Sequence, residues 1–321
     1  MVNGVLDRES WTPLLLCWWF ALVAFQWSLL IIPIFLADSS GPGLAKNPDW
    51  LLYLVAVVAC SAAACDLGAA WSGGCSRLGE LPLTVVGTSQ KLPLTVVGTV
   101  LNIADMCTDS LAAASVLAAS WGEDNQLERA WGMVVKQSLL PFHVPLWLVA
   151  VAAWSSGGVQ MVIAGGFIAK QATVDAFPAG ADLLGFETVA MHSALQADEN
   201  ASDDDRKKAE LEANVRMEVK FLFRLMVENV FQLHLQLTCL GLSLALSGWD
   251  SACRNMLGSI TLSFFFLLLK LGQTASIDAG CGILVVCFAG LPVGYAVAKF
   301  IALFTCPQHL LNVTGCAAVD I

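Results

Sequence analysis

Two stretches of the sequence place ionisable residues inside otherwise apolar segments. In the first stretch, Asn102, Asp105 and Asp109 recur at intervals of three and four residues. At about 100° per residue, a helix would bring all three within about 60° of one another. An ionisable side chain in a membrane helix costs about 2.5–3.5 kcal/mol on insertion scales, so it needs a partner, a water-filled cavity or a task. The spacing therefore predicts one buried polar face.

The second stretch, KFLFRLMVENVFQLHLQL, has a polar residue at every fourth position. These residues are Lys220, Arg224, Glu228, Gln232 and Gln236. Each step of four advances about 40° around a helix, so the stripe winds slowly and could follow a crossing neighbour. His234 lies off the stripe, and we interpret it as a packing histidine.

The buried charges allow two interpretations. Asp105 and Asp109 could pair with Arg224 or Lys220 and so hold the helices together. The same charges could instead line a groove through which a polar headgroup or an ion passes. The two are compatible, because a groove between helices must also be held in place.

The composition requires a membrane around these helices. Hydrophobic residues make up 57% of the chain and charged residues only 13%, against roughly 25% charged residues in soluble domains. A span needs about 20 apolar residues, which predicts an all-α, polytopic transmembrane bundle of about six or seven spans. We place them near 11–37, 50–71, 92–120, 138–170, 220–247, 256–272 and 278–303. Tryptophans at the proposed ends, which suit the headgroup level, are Trp11, Trp50, Trp71, Trp121 and Trp249.

The region 138–170 leaves the topology open. Pro141 and Pro145 fall inside it, and the run SSGG at 155–158 interrupts it, so it is either one kinked helix or a short pair. With one span, the basic residues of the N-terminus, of 72–91 and of the polar linker share a side, which is cytoplasmic by the positive-inside rule. Asn312 would then be a glycosylation acceptor on the opposite side. The sequence carries no signal that names the membrane.

The chain divides by composition into four parts. Residues 1–170 form an N-terminal transmembrane bundle, 171–219 a polar and partly helical linker, 220–305 a C-terminal bundle and 306–321 a short tail. Within the first part, LPLTVVGT occurs at 81–88 and again at 92–99, a tandem duplication spanning 81–102. We interpret it as a local duplication that lengthens the approach to the third span, the alternative being a re-entrant element.

Several function classes are disfavoured. A net charge of −10 argues against nucleic-acid binding. The cysteines form no CxxC pair, and most lie in apolar runs as packing residues, while Cys75, Cys253 and Cys316 fall in expected loops. The sequence carries no HExxH, GxSxG or phosphate-binding glycine loop. We therefore expect no enzyme, no catalytic or metal-ligating set and no cofactor.

At the two polar stretches the chain resembles the XK-related family of membrane proteins, several of which scramble phospholipids. Asp105-Met-Cys-Thr-Asp109 followed by Ala113 is similar to the family's Asp-x-x-x-Asp-x-x-x-Ala pattern. The run Glu228–Gln236 is similar to its Glu-x-x-Pro-Gln-Leu-x-Leu-Gln pattern, with Phe231 in place of the proline. The resemblance implies a polar intramembrane path for headgroups that includes Asp105, Asp109, Glu228 and the glutamines.

We therefore expect a multi-pass membrane protein that translocates lipids or serves transport through this polar seam, with membrane lipids as its partners. The alternative is a non-transporting scaffold whose charged helix near 203–220 recruits other proteins. An intramembrane transferase ranks third, since Asp-x-x-x-Asp can present two carboxylates to a magnesium–diphosphate substrate. Such an enzyme needs a second acidic motif on another helix, and the sequence contains none.

Overall fold

The structure, a computed structural model, shows regular secondary structure that is helical throughout the part it describes. The residues described are 8–74, 86–122, 125–137, 144–170 and 230–277, with the single positions 180, 181, 183, 184, 186, 294, 297, 298, 301 and 305. The one strand-like feature among them is an isolated antiparallel bridge between Asp38 and Lys46. The predicted all-α class is therefore confirmed for this part of the chain.

Seven helices have defined bounds in the described ranges. They are α1 (Arg8–Leu36), α2 (Trp50–Gly74), α3 (Val86–Trp121), α4 (Gln126–Gln137), α5 (Leu146–Lys170), α6 (Val230–Ser247) and α7 (Ser251–Ile277). Four contain segments long and apolar enough to cross a membrane, namely Pro13–Leu36, Trp50–Gly68, Val97–Trp121 and Leu146–Ala169. A fifth apolar segment, Phe231–Ser247, is shorter. These helices agree with a membrane protein, and a total of six or seven spans stays a prediction.

The fourth predicted span is a continuous helix across the glycine run. Helix α5 begins at Leu146, directly after Pro145, and continues through 155–158 without a break. Proline suits a position before the first helical hydrogen bonds. Inside a bilayer, a broken helix would leave backbone groups without water to bond, so Gly157 and Gly158 stay helical. Residues 138–143 lie outside the described residues.

Cys253 is not in a loop, contrary to our prediction. It lies in the first turn of α7 and is fully buried. The side chain of Asp250 caps this helix, because its Oδ1 accepts a hydrogen bond from the Cys253 backbone N–H at 2.9 Å. With this cap, α7 begins at Ser251, five residues before the start near residue 256 that the apolar run predicted. Cys75 and Cys316 lie outside the described residues.

Three tryptophans mark helix ends as predicted. Trp50 begins α2, Trp121 ends α3 and Trp249 lies between α6 and α7. Their side chains are 52%, 58% and 61% exposed. An exposed indole at a helix end suits the headgroup region, where its ring is apolar and its N–H can reach water. The side chains of Trp11 and Trp71 lie outside the described residues.

The described residues fall into two compact units, neither of which is one continuous stretch. The first takes its residues from Met1–Gln26, Leu52–Cys107 and Gly157–Lys220. Its helices approach closely where the indole N–H of Trp19 donates a 2.6 Å hydrogen bond to the Met161 carbonyl. A Cβ atom at Gly165 would lie 2.7 Å from Trp19 Nε1, so glycine is required there. The N-terminal part of α1 and the C-terminal part of α5 therefore pack directly together.

The second unit takes its residues from Trp27–Leu51, Thr108–Ser156 and Phe221–Ile321. Its core is rich in small residues of α3, where Ala112, Ala113, Ala114, Ala118 and Ala119 are all buried. Small side chains let neighbouring helices approach closely in a membrane, where packing replaces the hydrophobic effect as the driving force. In the Val97–Trp121 span, 89% of the most apolar window is buried, against 28% for Pro13–Leu36. Most of the apolar window of α3 is thus buried by protein, whereas most of that of α1 is not.

Candidate functional site

Asp109 is the residue around which the polar side chains of the second unit gather. It is the central residue of the Val97–Trp121 span, with twelve residues on each side. A membrane span with these bounds would place Asp109 near the middle of the bilayer. The side chain is only 5% exposed. A carboxyl group at this depth requires hydrogen-bonding partners from neighbouring helices.

Two other helices supply such partners. The side-chain Nε2 of Gln236, on α6, donates a hydrogen bond to Asp109 Oδ1 at 2.7 Å. The hydroxyl of Ser259, on α7, donates to the same oxygen at 3.3 Å. Gln236 Nε2 also donates to Ser259 Oγ at 3.2 Å. The three residues, which we call the Asp109 cluster, therefore close a triangle that joins α3, α6 and α7.

Gln232 extends the polar surface by one helical turn along α6. Its Nε2 donates to the Ala153 carbonyl of α5 at 3.1 Å, so a fourth helix is tied to the same face. The side-chain carbonyl oxygens of Gln232 and Gln236 are buried and have no donor among the residues that the structure describes. A buried amide oxygen without a donor carries a desolvation cost of about 1–3 kcal/mol. The face is therefore suited to water or to a polar ligand that brings donors.

The first unit contains a second set of buried polar residues. Asn102 and Asp105 are 4% and 0% exposed, so the predicted burial of this face is confirmed. On α2, Asp66 is fully buried, and its Oδ2 accepts a hydrogen bond from the Thr99 hydroxyl at 2.9 Å. Asp66 was not among our predicted residues. Asp66 is an ionisable residue within the apolar run 50–71, and the same kind of signal identified Asp105. The sequence could therefore have identified Asp66 as well.

The structure brings together only some of the predicted site residues. Asp109 and Gln236 are in direct contact, and Gln232 lies on the same helix as Gln236. Arg224, Glu228, Lys220 and Asn312 lie outside the described residues, so pairing between an aspartate and Arg224 stays a prediction. Ser259 was missed because a single serine in an apolar helix carries no pattern in the sequence. His234 is half-buried.

The described side chains of this site offer hydrogen-bonding groups. Among the described residues, no group of three or more His, Cys, Asp or Glu side chains could hold a metal ion. The Asp109 cluster and Gln232 together offer one carboxylate, two amides and one hydroxyl. In the Val97–Trp121 span, these groups would lie at the depth of the hydrocarbon layer. Such groups can replace the hydration of a polar solute within a membrane.

The comparisons with known proteins add no relative to this picture. No family model, no curated protein and no solved structure matches the chain. The site is therefore defined by the geometry of its own residues.

Proposed function

We propose that this chain is an integral membrane protein that translocates lipids by guiding their polar headgroups along an intramembrane seam. The observation that carries the proposal is the hydrogen bond between Asp109 and Gln236 at the middle of the α3 span. Ser259 joins it from a third helix. The resemblance of these two stretches to the XK-related family supports the same function.

The physical basis is the cost of moving a headgroup through hydrocarbon. A charged or zwitterionic group loses its hydration there, and a row of protein acceptors and donors can replace part of that hydration. The buried carbonyl oxygens of Gln232 and Gln236 can accept hydrogen bonds from an incoming group. The carboxyl of Asp109 can attract the cationic part of a zwitterionic headgroup. Membrane lipids are the partners that this chemistry fits.

The test is a reconstitution with fluorescent phospholipids. The purified full chain is placed in liposomes, and the fraction of labelled lipid that a membrane-impermeant reductant can reach is followed over time. We expect translocation in the wild type and its loss in Asp109→Ala. Ser120→Ala is the matched control, because Ser120 is also buried on α3 and donates only to the Val116 carbonyl of its own helix. Translocation absent under every condition would favour the scaffold instead.

A charge exchange separates the role of Asp109 in folding from its role in translocation. The double variant Asp109→Arg with Arg224→Asp exchanges the two charges. If the two residues form an ion pair, the double variant keeps it with the charges in exchanged positions. Restored folding without restored translocation would indicate that Asp109 serves both as a packing residue and in the path. Normal folding of both single variants would contradict the pairing.

A further inference from the structure

The loop between α1 and α2, residues 37–49, has a buried centre at residues 43–45, within the second unit, whereas Asp38, Ser40, Gly41, Lys46 and Asp49 are exposed. Leu44 and Ala45 are 3% and 1% exposed. Connecting segments normally lie at the surface, since their backbone groups need water. The burial of residues 43–45 therefore requires an explanation.

Helices α3 and α6 supply hydrogen bonds to the buried centre of the loop and to Asn47 beside it. The Leu44 N–H donates to the Ser243 hydroxyl at 2.9 Å. The Ser115 hydroxyl donates to the Ala45 carbonyl, and the Asn47 side-chain amide donates to the Leu111 carbonyl at 2.9 Å. At the loop's base, Asp38 and Lys46 form a backbone bridge. The loop is thus held in one defined position by hydrogen bonds to two helices.

The third helix of the Asp109 cluster also contacts the loop. Lys46 Nζ lies 3.8 Å from Asp250 Oδ2 at the start of α7. The Lys46 side chain is 47% exposed, so this ion pair is weak and easily broken. The Cys253 thiol contacts the Ser243 hydroxyl at 3.4 Å, and the same hydroxyl holds Leu44. Leu44 and Cys253 therefore share one hydrogen-bonding partner, the Ser243 hydroxyl of α6.

The loop lies beyond the same end of the Asp109 cluster on all three helices. On α3, Ser115 follows Asp109 by six residues, and on α6 Ser243 follows Gln236 by seven. On α7, Cys253 precedes Ser259 by six residues. At 1.5 Å per residue these separations are about 9–11 Å. The loop thus lies beyond one end of the Asp109 cluster on all three helices.

We propose that residues 37–49 form a plug that closes one end of the polar seam and must move aside for a headgroup to enter or leave. The inference rests on the proposed function for its purpose, although the plug itself can be tested separately. Among the described residues, a neutral hydrogen bond to Ser243 of α6, the ion pair with Asp250 and the burial of Leu44 and Ala45 in the apolar core hold the plug. Gly43 lies so close to Ser243 and Ser247 that an added Cβ would be 2.5 Å from Ser247 Oγ. A methyl group at this position would push the plug outwards.

The experiment measures how fast a polar, membrane-impermeant methanethiosulfonate reagent modifies Cys253 in the reconstituted full chain, followed by mass spectrometry. In Gly43→Ala, we expect the modification rate to rise by at least about tenfold, equivalent to about 1.4 kcal/mol of lost closure. Gly41→Ala is the control, since nothing lies within 4 Å of a Cβ there. The fully buried Cys107 reports on folding and should stay protected in every variant.

A second variant keeps the test independent of any folding defect in Gly43→Ala. In Asp250→Asn, the ion pair with Lys46 is lost, while asparagine still caps α7 as well as aspartate does. Faster modification of Cys253 in this variant would support the plug. Unchanged modification in both variants would overturn it. Faster modification without lipid translocation in any variant would support the plug and refute the proposed function.

Discussion

Gln236 donates a 2.7 Å hydrogen bond to Asp109, although 127 residues separate them in the chain. Asp109 is the central residue of its span, and both side chains are buried. The bond joins α3 to α6, and Ser259 adds α7 through the same carboxylate oxygen. The Asp109 side chain thus links three helices near the centre of its span. The packing of these helices is therefore expected to be sensitive to substitutions of Asp109 and its partners.

Replacement of Gln236 by leucine should destabilise the protein by about 0.6–1.7 kcal/mol, the range measured for hydrogen bonds between membrane helices. The substitution removes the donor to Asp109 and Ser259 while keeping an apolar side chain in place. Unfolding in mixed micelles provides the measurement. Thr238→Val is the matched control on α6, because Thr238 bonds only to the His234 carbonyl of its own helix. Equal losses in the two variants would argue against an interhelical bond.

Thr99→Val should destabilise the first unit by about 1 kcal/mol, because it removes the hydroxyl that donates a hydrogen bond to the buried carboxylate of Asp66. Thr99→Ser keeps the hydroxyl and should stay close to the wild type. The comparison uses the same micelle titration. A serine variant as unstable as the valine variant would show that packing, rather than the hydrogen bond, determines this position.

Gly165→Ala should destabilise the packing of α1 on α5 by about 1–3 kcal/mol, as expected when a tight contact is overfilled. An added Cβ would lie 2.7 Å from Trp19 Nε1. Gly166→Ala is the natural control, because its Cβ would meet nothing within 4 Å. The thermal unfolding midpoint of the purified protein distinguishes the two. Equal midpoints for both variants would contradict the close approach of Trp19.

Glu128→Ala should loosen the start of α5. Both carboxylate oxygens of Glu128 accept from the Leu146 N–H, at 3.0 and 3.1 Å, and so cap the helix from α4. Loss of a cap costs about 0.5–2 kcal/mol. Hydrogen exchange at the first amides of α5 should accelerate, whereas Arg129→Ala, one residue along on an exposed position, should leave it unchanged. Exchange that stays slow in Glu128→Ala would rule out the cap.

The continuous helix α5 favours the topology with one span in this region. With the three further spans predicted after residue 219, the sequon Asn312-Val-Thr is expected on the opposite side of the membrane from the sequon Asn200-Ala-Ser. Asn312 is then expected to be glycosylated, and Asn200 is not. Expression in a glycosylating cell should give a mobility shift that Asn312→Gln abolishes. A shift lost in Asn200→Gln would reverse the topology.

The sequence by itself predicted the four helices that are apolar enough to span and some of the polar residues that they bury. The spacing of Asn102, Asp105 and Asp109 predicted their burial, because a helical period fixes which residues share a face. It also placed Gln232 and Gln236 on one stripe. These properties depend on neighbours within one helix, so local sequence is sufficient to reveal them.

Only the tertiary structure decided which side chains meet. Ser259 lies 150 residues from Asp109, and Leu44 lies 199 residues from Ser243. No period links such positions, since their contact depends on how separate helices pack. The burial of residues 43–45 was equally invisible in the sequence, because the Gly-Pro-Gly run at 41–43 is typical of an exposed turn. Partners across helices are set by packing in three dimensions, and a one-dimensional pattern carries no record of it.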